Sequence, residues 1–393
     1  MKDLQHLIFF EELLQQANND LVQQAKENPN FVIDLDPKKL KWDRPQKRDI
    51  IKGKKCLPFD SSHIYVSAYR PFFSQNLYFD RYWNNCVYQL PQLFPTNKTR
   101  NLALCVTGVG SKIFSCLVVD QIPCFDFVEK SQCFPRYLYT KVQKNLAATD
   151  HCTGELFDDL PSAATPTLDM TVDDYERRDA ITPEALQHFR EVYPGETITA
   201  DDLFYYIYGI LHSEDYRRRY ANNLMKELPR IPRVATYVEF QKFAEAGLKL
   251  AGLHLNFEKV PEYKGVQINE DRRDGFSYYV TQMKYGKIPG KTGNAAKDKM
   301  KLVYNEFITI EGIPLEAQEY VVNKKSALDW IVERACVKTD KDSGIVNDFN
   351  DYATEKKDPR YPLSLFLRII TVSLETMKIV KSLPPLQIHP ADM

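Results

Sequence analysis

The sequence has no apolar run near the ~20 residues that a bilayer-crossing helix needs. Its longest apolar stretches, such as residues 113–119 (IFSCLVV), are far shorter, so no membrane partner is expected. It has no excess charge of either sign: 52 Lys and Arg stand against 53 Asp and Glu, a formal net charge of −1. That total does not advertise a globally basic nucleic-acid binder. Nothing in the composition, 44% hydrophobic and 27% charged, is collagen-like, coiled-coil or wholly disordered. No signal peptide opens the chain, because Glu11 and Glu12 break its first apolar run and no small-residue cleavage site follows. Eight cysteines without such a signal predict free thiols in a reducing compartment, hence the cytoplasm. What is present is 393 residues, enough for two to three domains or one elaborated one, with a core that needs neither disulfide nor metal.

Catalytic signatures are missing as well. Thr107–Lys112 (TGVGSK) lacks the glycine spacing of a phosphate-binding loop and reads as a turn between two strands, with Lys112 a possible anion contact. Neither an N-P-P-Y-type loop nor a glycine-rich cofactor loop is found, which argues against an autonomous methyltransferase. Asp348, Asp351 and Glu355–Lys357 crowd one polar loop without the two-strand frame of a metal-dependent nuclease. Cys105, Cys116, Cys124, Cys133, Cys152 and His151 lie close in sequence without a C-x-x-C, and read better as small buried hydrophobes than as a zinc site. His254 falls on the apolar period of a helix, which suits a core position.

The neutral total conceals segregation. Residues 38–55 carry nine bases and two acids, 155–176 seven acids and no base, and 284–301 six lysines and one aspartate. Local balances of +7, −7 and +5 follow, so basic surfaces able to meet phosphate remain open.

Periodicity gives a mixed α+β chain with a β-rich N-terminal half, a helix-rich C-terminal half and no βαβ alternation. Leu4, Leu7, Ile8, Leu14, Leu21 and Ala25 predict an opening helix ending near Asn28, followed by a basic connector to residue 56. Strands are predicted at His63–Tyr69, Asn76–Asp80, Leu102–Thr107 and Ile113–Val119 within a β-rich part, 57–150. An acidic linker occupies 151–180. From 181 to 393 the pattern turns helical, with Thr199/Asp202 and Ser213 as N-terminal caps, a helix through Tyr216, Tyr220, Leu224 and Leu228, and further helices through Phe240–Ala251, from Ser326 and from Pro362. Ser277–Tyr285 and Leu302–Ile310 read as strands around a Gly/Lys-rich loop.

Candidate phosphate contacts are cations that cannot all be buried. Arg217, Arg218 and Arg219 fan over a wide arc of their helix, and Arg230 and Arg233 would share a face of the extended stretch LPRIPR. Arginine forks suit both phosphate and the O6/N7 edge of guanine. Arg70 lies among aromatics in Tyr69–Phe73, Arg136 belongs to the β-rich part, and Lys284, Lys287 and Lys291 flank the glycine-rich loop. The competing reading pairs Arg217–Arg219 with Glu214, Asp215 or the acidic segment.

Several blocks together resemble the C-terminal specificity domain of Type ISP restriction–modification enzymes. They are Tyr69–Phe72, Leu77–Phe79, Tyr206–His212, Asp215–Arg217, Arg219–Ala221, Leu228–Pro232, Ala244–Gly247 with Leu253–His254, Ser326–Trp330 and Ser343–Asp348, in order across most of the chain. In that family one polypeptide joins a nuclease, a helicase-like ATPase, an N6-adenine methyltransferase and a target recognition domain. The resemblance implies a non-catalytic module that binds double-stranded DNA beside the methyltransferase domain. S-adenosylmethionine and ATP with magnesium would belong to the other domains, and this chain is expected to need no cofactor. It supplies no base-contacting residue, and the recurring blocks read as scaffold. A protein-interaction module coupling methyltransferase to motor, and a cryptic metal enzyme on the cysteine cluster, are the alternative readings.

Overall fold

The structure is a computed structural model that describes residues 19–36 (less 29 and 35), 42–142 (less 55, 57 and 85), 174–288 and 296–392, with residues 11 and 15. The first helix, α1 (19–27), ends at Asn28, whose N–H still reaches Gln24 O. The basic connector is not simply an open strand of chain. It contains α2 (Arg44–Ile51), opened by a capping box in which Asp43 and Gln46 satisfy each other's backbone N–H. Val22, Ile33, Trp42, Ile50 and Cys56 form a small satellite core there.

Strands β1 (Ile64–Arg70) and β2 (Phe73–Tyr78) form a hairpin, and after the short α3 (Leu90–Leu93) come β3 (Ala103–Val106) and β4 (Cys116–Val119). The turn joining β3 to β4 holds the TGVGSK segment, as its sequence predicts. β5 (Ile122–Pro123) pairs parallel with β1, whereas β6 (Gln132–Pro135) pairs antiparallel with β3, and β7 (Tyr137–Lys141) antiparallel with β8 (Tyr175–Asp179). Acidic residues 155–173 lie outside the described residues, while Tyr175 and Glu176 at the end of that run are strand.

The sheet β4-β3-β6 is a partition between two cores. Every residue of β3 and β4 is buried. Ala103, Cys105, Leu117 and Val119 point into one core, and Leu104, Val106, Cys116 and Val118 into the other. Side chains alternate across a strand, so a strand covered on both faces must be apolar throughout, as ALCV and CLVV are. The cysteines thus serve as small core residues, and burial holds the Cys116 thiol up to about 12.

One core is closed by helices α4 (Pro183–Arg190), α5 (Ala200–His212), α6 (Glu214–Arg219), α7 (Ala221–Leu224) and α8 (Tyr237–Leu255). Thr199 with Asp202 makes the expected capping box, and Ser213 caps α6. The helix predicted to run from Tyr216 to Leu228 is instead broken at Tyr220 (φ −107, ψ 19), and Leu228 is exposed. α5 and α8 cross backbone to backbone: a Cβ on Gly209 would strike Phe243 O, and one on Gly247 would strike Tyr205 O.

The second core packs β1, β2 and β5 against a four-stranded sheet, β10-β11-β12-β9, made of β9 (Gln267–Glu270), β10 (Lys284–Ile288), β11 (Ala296–Val303) and β12 (Ile308–Glu311). The C-terminal half is therefore less purely helical than its periodicity suggests. Two strand limits also move. Residues 277–283 are not strand, apart from a bridge at Gln282, and Leu302–Ile310 spans the turn between β11 and β12. There Asn305 Oδ1 accepts from the N–H groups of Phe307 and Ile308, a local turn that an apolar-run reading passes over. The hairpins β13 (Val321–Val322)–β14 (Lys325–Ser326) and β15 (Val337–Thr339)–β16 (Val346–Asp348) flank α9 (Ala327–Arg334), and then α10 (Asn350–Glu355) and the long α11 (Tyr361–Lys381) follow. Asp351 and Glu355 thus lie on a short helix and not on an open loop.

Candidate nucleic-acid interface

The predicted cations divide sharply into interior and exterior. Arg136 is buried between β6 and β7, with its guanidinium 2.5 Å from both Asp179 and Asp201. It ties β8 to the start of α5. Arg233 is also buried, held by Asp392 in a fork that the Arg233 N–H extends at 2.8 Å. Its guanidinium lowers the Asp392 carboxyl below the usual range. The expectation that Arg230 and Arg233 share a face is corrected: Arg230 stands in solvent, with only Glu227 at 3.0 Å, while Arg233 turns inward.

Arg217 departs from its neighbours in the same way. The residue is half-buried, but its Nε donates to Leu211 O at 2.7 Å, at the C-terminal end of α5. A cation there meets the negative end of the helix dipole. Burial lowers its pKa, and Cys116, Tyr320 and Tyr208 lie near enough to act on it electrostatically. The guanidinium groups of Arg136, Arg217 and Arg233 are thus each engaged inside the fold, which favours a structural role for them over phosphate contact.

The remaining candidates face outward. Arg218 is exposed and pairs with Asp215 at 2.5 Å, and Arg219 is exposed on the same short helix. The β3–β4 turn docks beside them through Gly110 N–H to Met225 O at 3.0 Å, and its Lys112 is exposed with no ion pair among the described residues. Lys226, which sequence reasoning did not single out, is exposed just after α7; only its position in the broken helix reveals it. Lys112, Arg218, Arg219, Lys226 and Arg230 make up a basic corner of exposed cations on a strand turn, two short helices and an extended arm, two of them already offset by Asp215 and Glu227.

A second basic element is the β10–β11 hairpin. Lys284 and Lys287 are exposed, and Lys287 lies directly opposite Lys297. Like charges facing across a pair of strands repel, which is destabilising. Lys299 and Lys301 are engaged with Asp329 and Glu311. Lys291 lies outside the described residues. Arg70 is half-buried at the end of β1, donating to Tyr69 O and Cys124 Sγ and stacked 4.4 Å over the Tyr69 ring. Arg178 is an exposed cation on β8 that the acidic run before it had masked.

Some of the blocks that carry the family resemblance sit at buried joints, while Arg219–Ala221, Leu228–Pro232 and Ser343–Asp348 are exposed or half-buried. Tyr208 OH accepts from Val118 N–H at 3.1 Å and meets His254 Nδ1 at 2.6 Å, while His254 Nε2 meets Thr376 Oγ1 at 3.0 Å. This line fastens β4, α5, α8 and α11. Ser326 with Asp329 caps α9, and Trp330 Nε1–H donates to Val322 O. No group of three or more metal-ligating side chains is present among the described residues.

Residues 9–365 match the family described as the Type ISP C-terminal specificity domain. Three solved structures are similar over nearly the whole chain. The ATP-dependent Type ISP restriction–modification enzyme LlaBIII bound to DNA superposes at TM-score 0.76 with 29% identity, covering 96% of this chain and 22% of that one. A nuclease-deletion mutant of the Type ISP enzyme LlaGI in complex with a DNA substrate mimic gives 0.73 and 31%, covering 96% and 31%. The DrdV–DNA complex gives 0.72 and 28%, covering 97% and 33%. No curated protein matches the sequence. This chain thus spans a third or less of the length of those three proteins. With the family match running over residues 9–365, the chain belongs to the Type ISP C-terminal specificity domains.

Proposed function

We propose that this chain recognises a double-stranded DNA target for a Type ISP restriction–modification enzyme and carries no catalysis of its own. The observation that supports this most is its likeness, over at least 96% of its length, to two Type ISP enzymes, one bound to DNA and one to a DNA substrate mimic, and to the DrdV–DNA complex. The basic corner and the Lys287/Lys297 hairpin supply the phosphate contacts, and strand-connecting loops supply base readout in the major groove. A methyltransferase domain completes the clamp, so the chain alone binds weakly.

Anisotropy titration of the chain against a pool of duplexes, over a range of salt, tests this. Binding should weaken steeply with salt, because lysine and arginine release counterions from phosphate. Salt-insensitive binding, or none with a methyltransferase partner present, rejects the reading. Charge reversal at Arg218 and Arg219 separates it from a coupling module: lost DNA affinity supports recognition, and lost domain assembly with unchanged affinity supports coupling.

A further inference from the structure

The 124–131 connection between β5 and β6 carries two features that packing does not explain. Phe125, at its tip, is 56% exposed and stacks against Tyr88, itself 67% exposed, with ring centroids 6.4 Å apart and planes at 17°. Aromatic pairs of this size are ordinarily what a fold buries. The 124–131 loop is not slack. Phe127 and Val128 are buried directly beneath, Cys124 N–H donates to Ala68 O, and Ser131 N–H donates to Phe125 O. Val128 N–H donates to Ser131 Oγ, and Gly108 N–H reaches Glu129 O from the neighbouring turn. That approach is so close that a Cβ on Gly108 would collide with Lys130 O.

The backbone is also held in an unusual conformation. Tyr88 has φ +46, and Glu129 and Lys130 have φ +77 and +49. For a bulky residue such as tyrosine this left-handed region is an outlier, and such strain collects where surrounding contacts enforce it for function. Lys130 is exposed beside the tip, and the Arg70 guanidinium lies 3.3 Å from Cys124 Sγ, one residue before Phe125. A rigid, exposed aromatic pair beside an exposed lysine matches the chemistry of a surface that stacks on nucleobases.

We infer that Tyr88 and Phe125 form an aromatic wedge that stacks on an unstacked base of the bound duplex. This rests on the DNA-recognition reading above and adds to it a site for base contact. Both rings project from the surface, so removing them leaves the core intact.

The test uses the 393-residue chain and two short duplexes of the same sequence. One is perfectly paired, and the other carries 2-aminopurine opposite an abasic site, where unstacking is easy. Wild type should prefer the second duplex and quench its 2-aminopurine fluorescence. The Tyr88→Ala/Phe125→Ala variant should lose that preference by roughly tenfold, with a smaller loss on the perfect duplex, whose base must first be unstacked, and with the salt dependence unchanged. Phe125→Tyr should retain the preference. A preference that persists without the two rings, or is absent in wild type, overturns the wedge. An equal loss on both duplexes also overturns it. Wild type that binds neither duplex, even with a methyltransferase partner present, rejects DNA recognition itself, a result distinct from the others.

Discussion

His254 and Arg217 show what burial does to a titratable side chain. Burial, with the Arg217 charge added, pushes the His254 imidazole down to about 3, and His212 moves well below its usual range for the same reasons. With Nδ1 accepting from Tyr208 OH, Nε2–H is left to donate to Thr376, an assignment made from the bonding network. Unfolding frees the imidazole to take a proton near its ordinary pKa of ~6.5. The unfolded chain therefore binds the extra proton between pH ~6.5 and ~3, and stability falls as pH falls through that window. Each such histidine should contribute a slope of about 1.4 kcal/mol per pH unit there. Denaturant unfolding between neutral pH and pH 5 should show a shallower acid dependence for His254→Gln than for wild type; identical slopes would contradict it.

The apolar spacing of Leu250, Ala251 and His254 already marks the histidine as interior. It cannot mark the partners, since Tyr208 and Thr376 are 46 and 122 residues away.

The α5–α8 crossing is decided by two glycines. Gly247→Ala places a methyl on the carbonyl of Tyr205, and the helices must separate. Overpacking of this kind costs about 1–3 kcal/mol, to be seen as a lower denaturation midpoint. No change would mean that the crossing is more compliant than its geometry implies. The C-terminal tail is a second case. Val234 bridges Ile388, Leu386 N–H reaches Asp215, and Arg233 holds Asp392 in a largely buried pair. Asp392→Asn leaves the Arg233 guanidinium without its counter-charge, and should destabilise by about 3 kcal/mol or more. A loss below the precision of the unfolding curve would show the pair to be incidental.

The elements themselves were largely legible. Caps at Thr199, Ser213 and Ser326, and the strand runs beginning at His63 and Leu102, announce themselves through local hydrogen bonding and apolar runs. What misled was context: the break at Tyr220 and the turn at Asn305 depend on local geometry that a continuing apolar line disguises.

For the whole molecule, a net charge of −1 is compatible with strongly basic surfaces because acids and bases occupy different places. Removing exposed cations of the corner should then lower the salt slope of DNA binding by about one unit for each phosphate that is no longer neutralised. Arg218→Ala and Arg230→Ala are the informative variants. Arg136→Ala, by contrast, should act through stability and leave the slope of the folded protein unchanged. A reversed pattern in the titrations would move the interface elsewhere on the surface.

By itself the sequence determined the α+β class, the helix starts at Thr199, Ser213, Ser326 and Pro362, the apolar partition strands and the family, because each is written in local spacing or in ordered blocks along the chain. Which arginines are available was decided only by tertiary structure. Arg217 and Arg218 are adjacent in sequence and equally charged, yet one caps α5 from within and the other stands in solvent. Arg230 and Arg233 part in the same way, because the partner Asp392 comes from the far end of the chain. A guanidinium commits to whatever acceptor the fold brings within about 3 Å, and that acceptor cannot be read from the residues beside it.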